Sequence, residues 1–348
     1  MLQIYSHLEP RGARLFSAAQ DDGLTAPQED DLRSRLVEYD LLQRSDTADL
    51  ASWNPLRRRG VLRLNTIGRF WGENLNELGP VGPVFMDDPV YFEPLLHALD
   101  QRKIPVVAIV HNLESMASEQ VVEERRMVLL GREIDLLRRC LGVVTISTEE
   151  AHWLEAWGVA AVHFPYYPIA AYQARYREVR RRRAGSPGHG VLFLANMNNL
   201  QNRTALERIC ALWQGLRDTF GPLVVAGIGL GAWKGEIQGA AGVDFLGTLD
   251  DERFDDLLAS IGCLLCYQER GSGALTRIPE ALLCGVPVVA NFNAARSYHH
   301  RQGVWEFRGR DDLPAALHAA LGHRAPIPEP RAPDPALLEG LLAPRGAA

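Results

Sequence analysis

The sequence predicts an α/β protein built from two doubly wound, parallel-sheet halves, and three observations carry that prediction. Short apolar runs alternate with helix-length amphipathic stretches, the pattern of strands joined by crossover helices. The alternation breaks once, near 169–190, and then restarts. The chain has 348 residues, and about 150 residues per domain suggests two domains rather than one.

In the first half the expected strands are Leu2–Ser6, Val61–Asn65, Val84–Asp87, Val106–Val110, Val143–Ile146 and Val162–Pro165. A long helix is expected from Ser118 to Leu141, because Val122, Met127, Leu130, Ile134, Leu137 and Leu141 recur at three- and four-residue steps. Ser147 followed by Glu150 has the spacing of a capping box opening a helix through Trp157. Residues 169–190 hold Arg180-Arg181-Arg182-Arg183 and Gly185-Ser186-Pro187-Gly188, which read as a linker with a solvated helix end. A phosphate- or lipid-facing use of the arginines stays open.

The second half repeats the rhythm. Strands are expected at Val191–Ala195, Leu223–Ala226, Val243–Leu246, Cys263–Tyr267 and Val286–Ala290, with helices at Arg203–Phe220, Asp251–Ala259 and Pro279–Cys284. Asp250-Asp251 reads as a helix cap. From Ala325 the chain is rich in Pro and Ala, with one short helix near Pro335–Leu342. The expected division is therefore 1–168, a linker 169–190, 191–324 and a tail 325–348.

Composition narrows the function classes. Apolar residues make up 47% and charged residues 23%, enough for ordinary cores without a disulfide or metal staple. With 37 basic and 43 acidic residues the net charge is −6, against a dedicated nucleic-acid binder. Lysine occurs only at Lys103 and Lys234, which we read as coding bias. Five cysteines sit in apolar patterns, and Cys263-x-x-Cys266 lies within an expected buried strand rather than a metal site. No run approaches the ~20 apolar residues that span a bilayer, and there is no apolar leader. The expectation is a soluble, cytoplasmic protein with no integral membrane segment, peripheral association with the inner membrane face being left open.

Ligands of open parallel sheets bind outside the carboxyl ends of the strands. That rule selects His7, Asn65, Asp87, Asp88, His111, Asn112, Glu114 and Ser147 in the first half. In the second it selects Asn196, Asn198, Gly227–Gly231, Gly247, Glu269–Gly273 and Asn291. The most informative stretch is 267–290. A strand ends in Gly271-Ser272-Gly273, whose small residues let backbone N–H groups approach an anion. Arg277 and Glu280 then fall on one helical face. A cation beside a carboxylate suits the diphosphate and ribose of a nucleotide; a surface ion pair after an ordinary turn would look the same.

This segment resembles the sugar-nucleotide-binding region of the family 4 retaining glycosyltransferases, which have the GT-B fold of two Rossmann-like domains facing across a cleft. Gly271-Ser272-Gly273, Arg277, Glu280-Ala281 and Gly285-Val286-Pro287-Val288-Val289 match one subgroup's pattern without a gap. Weaker echoes follow the family's order at Val106–Glu114, Val143–Glu150, Val191–Ala195 with Gln201-Asn202, and Gly242–Gly247. The resemblance implies that 1–168 takes the acceptor and 191–324 the donor. Glu280 would hold the ribose, Arg277 the diphosphate, and the amides of Gly271–Gly273 the phosphate or sugar. Thr276, Asn202, Arg203 and Gly247 complete the implied donor set, Gly247 near the base. His111 and Arg277 would be the catalytic candidates, Arg277 stabilising the leaving diphosphate and His111 lying near the sugar. No cofactor is implied, since the nucleotide-sugar is a substrate, and no divalent metal is required.

The departures are specific. The family's commoner pattern has a second Glu eight residues before Glu280, where this chain has Ser272; Glu269 is out of register. The Gly-rich loop of the acceptor domain is reduced to Arg11-Gly12-Ala13-Arg14, and residues 20–100 resemble nothing, so the acceptor is open among glycan, lipid-linked, protein and small-molecule classes. Gly227-Ile228-Gly229-Leu230-Gly231 is a weak dinucleotide signal. Asp87-Asp88 reads equally as an acid/base pair or a turn before Pro89. His7 is an acceptor-side base candidate, and His189 and His299-His300 are expected on exposed loops. The reading is a hexosyltransferase-type glycosyltransferase acting with retention. Its alternatives are a GT-B nucleotide-sugar epimerase, an NAD-dependent oxidoreductase, or a non-catalytic GT-B partner, the last motivated by the missing acid.

Overall fold

The computed structural model describes residues 14–16, 84–87, 89–116, 126–184, 188–197, 199–233, 242–334 and 336–342. The expected strands Leu2–Ser6 and Val61–Asn65, and the candidates His7, Asn65, Asp88 and Asn198, lie outside them. The chain divides into two compact units, Met1–Pro165 with Asp334–Ala348, and Tyr166–Pro333.

Among the described residues of the first unit five parallel strands lie in sequence order: β1 (Arg14–Phe16), β2 (Val84–Asp87), β3 (Val106–Val110), β4 (Gly142–Thr145) and β5 (Ala161–His163). Arg14, expected in a reduced glycine loop, instead begins a strand in register with Val84. Helices α1 (Glu93–Gln101), α2 (Arg126–Arg138) and α3 (Thr148–Ala156) alternate with the strands. Every residue of β3 is buried, as a strand covered on both faces requires. Ala108 and Val110 pack with Leu130, Ile134 and Leu137 of α2, while Val107 and Ile109 face Phe85, Val144 and Phe164; the two-residue period of a strand divides them.

Two expectations change here. The long helix ends at Arg138, before Leu141, because Leu141 N–H already donates to Val106 O of the sheet (2.7 Å). Met127, expected in the buried stripe, is 66% exposed, and the stripe begins at Leu130. The expected tail is no appendage either. Its helix, Ala336–Leu342, buries Leu338 among Phe85 and Val107, and a Cβ on Gly142 would lie 2.6 Å from Leu341.

The second unit begins with α4 (Ala170–Arg183) and continues through β6 (His189–Leu194), α5 (Leu200–Trp213), α6 (Arg217–Phe220), β7 (Leu223–Ala226), α7 (Leu230–Trp233), β8 (Val243–Gly247), α8 (Asp251–Ser260), β9 (Ile261–Cys266), α9 (Arg277–Leu283), β10 (Val288–Asn291), β11 (Val304–Phe307) and α10 (Leu313–Gly322). Among its described residues six strands are all parallel in the order β11-β10-β9-β6-β7-β8. The chain builds outward from β6 to β8, then returns to place β9 on the other side of β6. The strand order therefore reverses between β6 and β9, where open α/β sheets bind ligands.

The segment expected as a linker belongs to this unit. Tyr176 and Val179 of α4 enter its core. Arg180 donates to Leu282 O, Leu283 O and Ile327 O at 2.5–2.8 Å. Arg183 donates to Leu258 O and Ile261 O, both at 2.6 Å. Two of the four arginines thus satisfy carbonyls at the C-terminal ends of α8 and α9, where cations are favoured. The solvated-end reading holds for Arg181, whose side chain is 74% exposed, and Arg182 pairs with Asp256. The expected helix 203–220 is two helices, with Trp213 fully buried at the break and its indole donating to Gly221 O (3.0 Å).

Asp250 caps α8 through the Arg253 amide (2.8 Å). Cys263 and Cys266 are fully buried on opposite sides of β9. Burial pushes their thiols up to about 12 and about 11, as apolar surroundings do to a thiol. His189 is exposed but lies in β6, and His299 is half-buried against Glu306 (2.9 Å), both departures from exposed loops. His300 is exposed.

Candidate nucleotide-binding site

The reversal between β6 and β9 brings together residues far apart in sequence. The loop leaving β9 turns through Gly271 (φ +136°) and Gly273 (φ +73°), backbone conformations that glycine adopts without strain. The chain then enters α9 with Arg277 at its first position, after Thr276. The Arg277 guanidinium reaches across to β6, donating to Leu194 O (2.5 Å) and to Asn202 Oδ1 of α5 (3.1 Å). Asn202 also donates to Asn196 O (3.2 Å). A guanidinium has five N–H donors, and these two acceptors take one each.

Glu280 lies one helical turn beyond Arg277. The Tyr166 hydroxyl donates to its Oε1 at 2.7 Å. Burial raises the Glu280 carboxyl above the usual range, opposed by the Tyr166 hydrogen bond and the Arg277 charge. A partly desolvated carboxylate beside a fixed cation is a strong acceptor for hydroxyl donors. Gln268, at the start of the β9 loop, joins the two sides of the reversal by donating to Gln201 Oε1 of α5 (3.1 Å). A Cβ on Gly271 would meet that Gln201 amide at 3.2 Å.

The remaining donor candidates are placed differently. Arg203 donates to Met197 O (2.5 Å), on the loop leaving β6. Gly247 ends β8, two strands from β6, with its carbonyl accepting from Gly227 N–H (2.9 Å) and open space where a Cβ would project. The glycine turn at 227–231 has a packing cause. A Cβ on Gly227 would fall 1.8 Å from Ala195 O, so close backbone approach demands glycine there. Glu269 pairs with Arg208 of α5 at 3.5 Å and does not stand in for an acid at Ser272.

His111, half-buried, is the first unit's candidate, on the loop leaving β3. That loop is held by two buried acids. Glu150 accepts from Leu113 N–H (3.1 Å) and Thr145 Oγ1 (3.3 Å). Glu133 accepts from Glu114 N–H (2.9 Å), Ser115 N–H (3.0 Å) and the Ser115 hydroxyl. Burial pushes the Glu133 carboxyl up to about 7 against those hydrogen bonds. The capping box is therefore half realised. Ser147 Oγ accepts from Glu150 N–H (3.3 Å), but the Glu150 carboxylate turns to Leu113, and Ser147 N–H donates to Thr145 Oγ1 (3.2 Å).

Sequence reasoning missed Tyr166, Gln268, Asn293, Arg296 and Glu133. Tyr166 and Arg296 carry no local signal, since their partners are remote. Gln268 could have been found by extending the strand-end rule one residue toward β9. Among the described residues no cluster of three His, Cys, Asp or Glu could hold a metal, and no helix is long and apolar enough to cross a membrane.

No protein-family model matches the chain, and no curated protein matches it. Solved structures do. Sucrose-phosphate synthase from Thermosynechococcus elongatus is 15% identical over 94% of this chain and 91% of its own, with a TM-score of 0.56. α,α-Trehalose 6-phosphate synthase from Burkholderia multivorans is 16% identical over 85% of this chain and 74% of its own (TM-score 0.52). HepE from Anabaena, solved with UDP, is 13% identical over 74% of this chain and 72% of its own (TM-score 0.51). These structures are GT-B glycosyltransferases, and the likeness establishes that fold class for this chain, with Rossmann-like parallel sheets in both units.

Proposed function

We propose that this chain is a retaining glycosyltransferase that binds a nucleotide-sugar donor on its second unit. The observation that carries this reading is the placement of Arg277, Asn202 and Glu280 at the strand-order reversal between β6 and β9. Glu280 accepts from the ribose hydroxyls. Arg277, with the amides of the Gly271–Gly273 loop, takes the diphosphate. As the glycosidic bond breaks, negative charge develops on the leaving diphosphate, and a preorganised cation stabilises it without rearrangement. Arginine and amides together supply the countercharge, so a divalent metal is not required. Gly247 at the end of β8 is assigned to the base side of the donor, Arg203 to support of the loop after β6, and His111 to the first unit's share of the reaction. HepE with bound UDP supports the nucleotide class by fold.

One second reading has a specific observation behind it. Ser272 replaces the acid of the family's commoner motif, which favours a GT-B partner that binds nucleotide and transfers nothing.

The test is thermal unfolding against UDP, GDP, ADP, dTDP, CMP and NAD, with and without EDTA. Ligand at 100 times its dissociation constant stabilises by about 2.7 kcal/mol. The expected outcome is a rise with one nucleoside diphosphate, unchanged by EDTA and lost in Arg277→Ala. A rise with NAD alone, or none at all, would overturn the donor-binding reading. Sugar release or transfer by the purified chain separates the enzyme from the non-catalytic partner.

A further inference from the structure

We infer that the loop leaving β10 sets the anion-facing side of the Gly271–Gly273 loop, with Arg296 the positioning residue for diphosphate binding; this rests on the donor-binding reading of Arg277 and Glu280. Three side chains within six residues, from the end of β10 into the loop that leaves it, seize the main chain of the loop leaving β9. Asn291 accepts from Gln268 N–H (2.8 Å) and donates to Gln268 O (2.7 Å). Asn293 donates to Glu269 O (2.6 Å). Arg296 donates to Gly271 O, to Ser272 O (3.3 Å) and to Gln268 Oε1 (2.8 Å). The carbonyls of residues 268, 269, 271 and 272 are thus all drawn toward one partner loop.

Peptide planarity then fixes where the following amides point. In a trans peptide the C=O and the following N–H point in opposite directions. When Arg296 holds Gly271 O and Ser272 O, the N–H groups of Ser272 and Gly273 must point away from it, side by side. Two successive amides aimed to one side form an anion-binding concavity. The positive φ of Gly271 and Gly273 is the backbone cost of that arrangement, and glycine removes it. Arg296 also places a cation directly behind the amides.

The clamp itself is anchored. Asn291 Oδ1 also accepts from Ala294 N–H (3.2 Å), Asn291 O accepts from Ala295 N–H (2.9 Å), and Ala294, Ala295 and Tyr298 are buried. A lysine would not be equivalent, because only the planar guanidinium fork spans two successive carbonyls and a side-chain amide together.

The experiment is calorimetric titration of the full chain, Arg296→Lys and Arg296→Met with the tightest-binding nucleoside diphosphate of the panel and with its parent nucleoside. Removing the clamp should weaken the diphosphate about tenfold while leaving the nucleoside unchanged, the scale of one charge-assisted hydrogen bond. Lysine should recover part of the loss. An unchanged diphosphate-to-nucleoside affinity ratio would overturn the inference, and so would equal losses for both ligands, which mark a general structural role. Asn293→Ala removes a single contact to Glu269 O; it should lower the same ratio to a smaller extent and serves if the Arg296 variants do not fold. If the unsubstituted chain binds none of the diphosphates, the donor-binding reading fails and takes the clamp with it. Binding that is insensitive to both positions removes only the clamp.

Discussion

The loop leaving β3 in the first unit and the loop leaving β9 in the second occupy equivalent places, each following a fully buried parallel strand. They are held by opposite chemistry. After β3, the carboxylates of Glu133 and Glu150 take the consecutive amides of Leu113, Glu114 and Ser115. By peptide planarity the carbonyls of Asn112, Leu113 and Glu114 then point away from the acids. After β9, Asn291, Asn293 and Arg296 take the carbonyls of Gln268, Glu269, Gly271 and Ser272. The first loop is held through its amides and the second through its carbonyls; within the first, Leu113 O also accepts from Met116 N–H (2.9 Å). A loop held through its carbonyls turns its amides the other way, the polarity that the proposed diphosphate role requires; the first loop has the reverse.

The comparison can be broken most directly at Glu133. Its removal in Glu133→Ala strands two buried amides and a hydroxyl, at about 1–3 kcal/mol each. Urea unfolding should show a loss of several kcal/mol in the first unit, with nucleotide affinity of the second unchanged. A parallel fall in nucleotide affinity would mean that the two loops are not independent devices.

The same carboxyl predicts a pH dependence. Its folded value is about 7 against an ordinary 4.5, so between those values the folded state holds a proton that the unfolded state has released. Stability should therefore fall as pH rises from about 4.5 to about 7 and level off above, by roughly 3 kcal/mol if this group acted alone. Glu280, also raised, adds a drift of the same sign. Glu133→Gln should remove most of the slope in denaturant unfolding followed against pH; a slope that persists unaltered would place its source elsewhere.

A more selective effect is expected at Glu280. Glu280→Gln keeps the shape and removes the charge, weakening nucleotide about ten- to hundredfold, the scale of a charged hydrogen bond. A 2′,3′-dideoxy analogue should bind both forms alike. If the analogue loses as much as the ribonucleotide, Glu280 does not hold the ribose.

Much of this was legible in the chain because local periodicity reports local conformation. Val84–Asp87, Val106–Val110 and Leu223–Ala226 form strands at the expected boundaries, since short apolar runs read directly as buried strands. α4 was missed for the complementary reason: only Tyr176 and Val179 are buried on a helix otherwise rich in arginine, so it shows almost no apolar stripe. β11 was missed because Val304, Trp305 and Glu306 are half-buried on an edge strand.

The sequence alone determined the two-part α/β pattern, the glycine turn after β9 and the Arg277–Glu280 pair. Each depends on residues within a few positions of one another, where backbone geometry fixes which side chains share a face. The tertiary structure alone decided that β9 lies beside β6, and so that Arg277 meets Leu194 and Asn202, separated from it by 83 and 75 positions. It also decided that Tyr166 meets Glu280, that Arg180 and Arg183 cap helices, and that Arg296 holds the carbonyls of Gly271 and Ser272. Strand order and these pairings follow from burying both faces of a sheet while satisfying its backbone, a condition on the whole unit that no local spacing encodes.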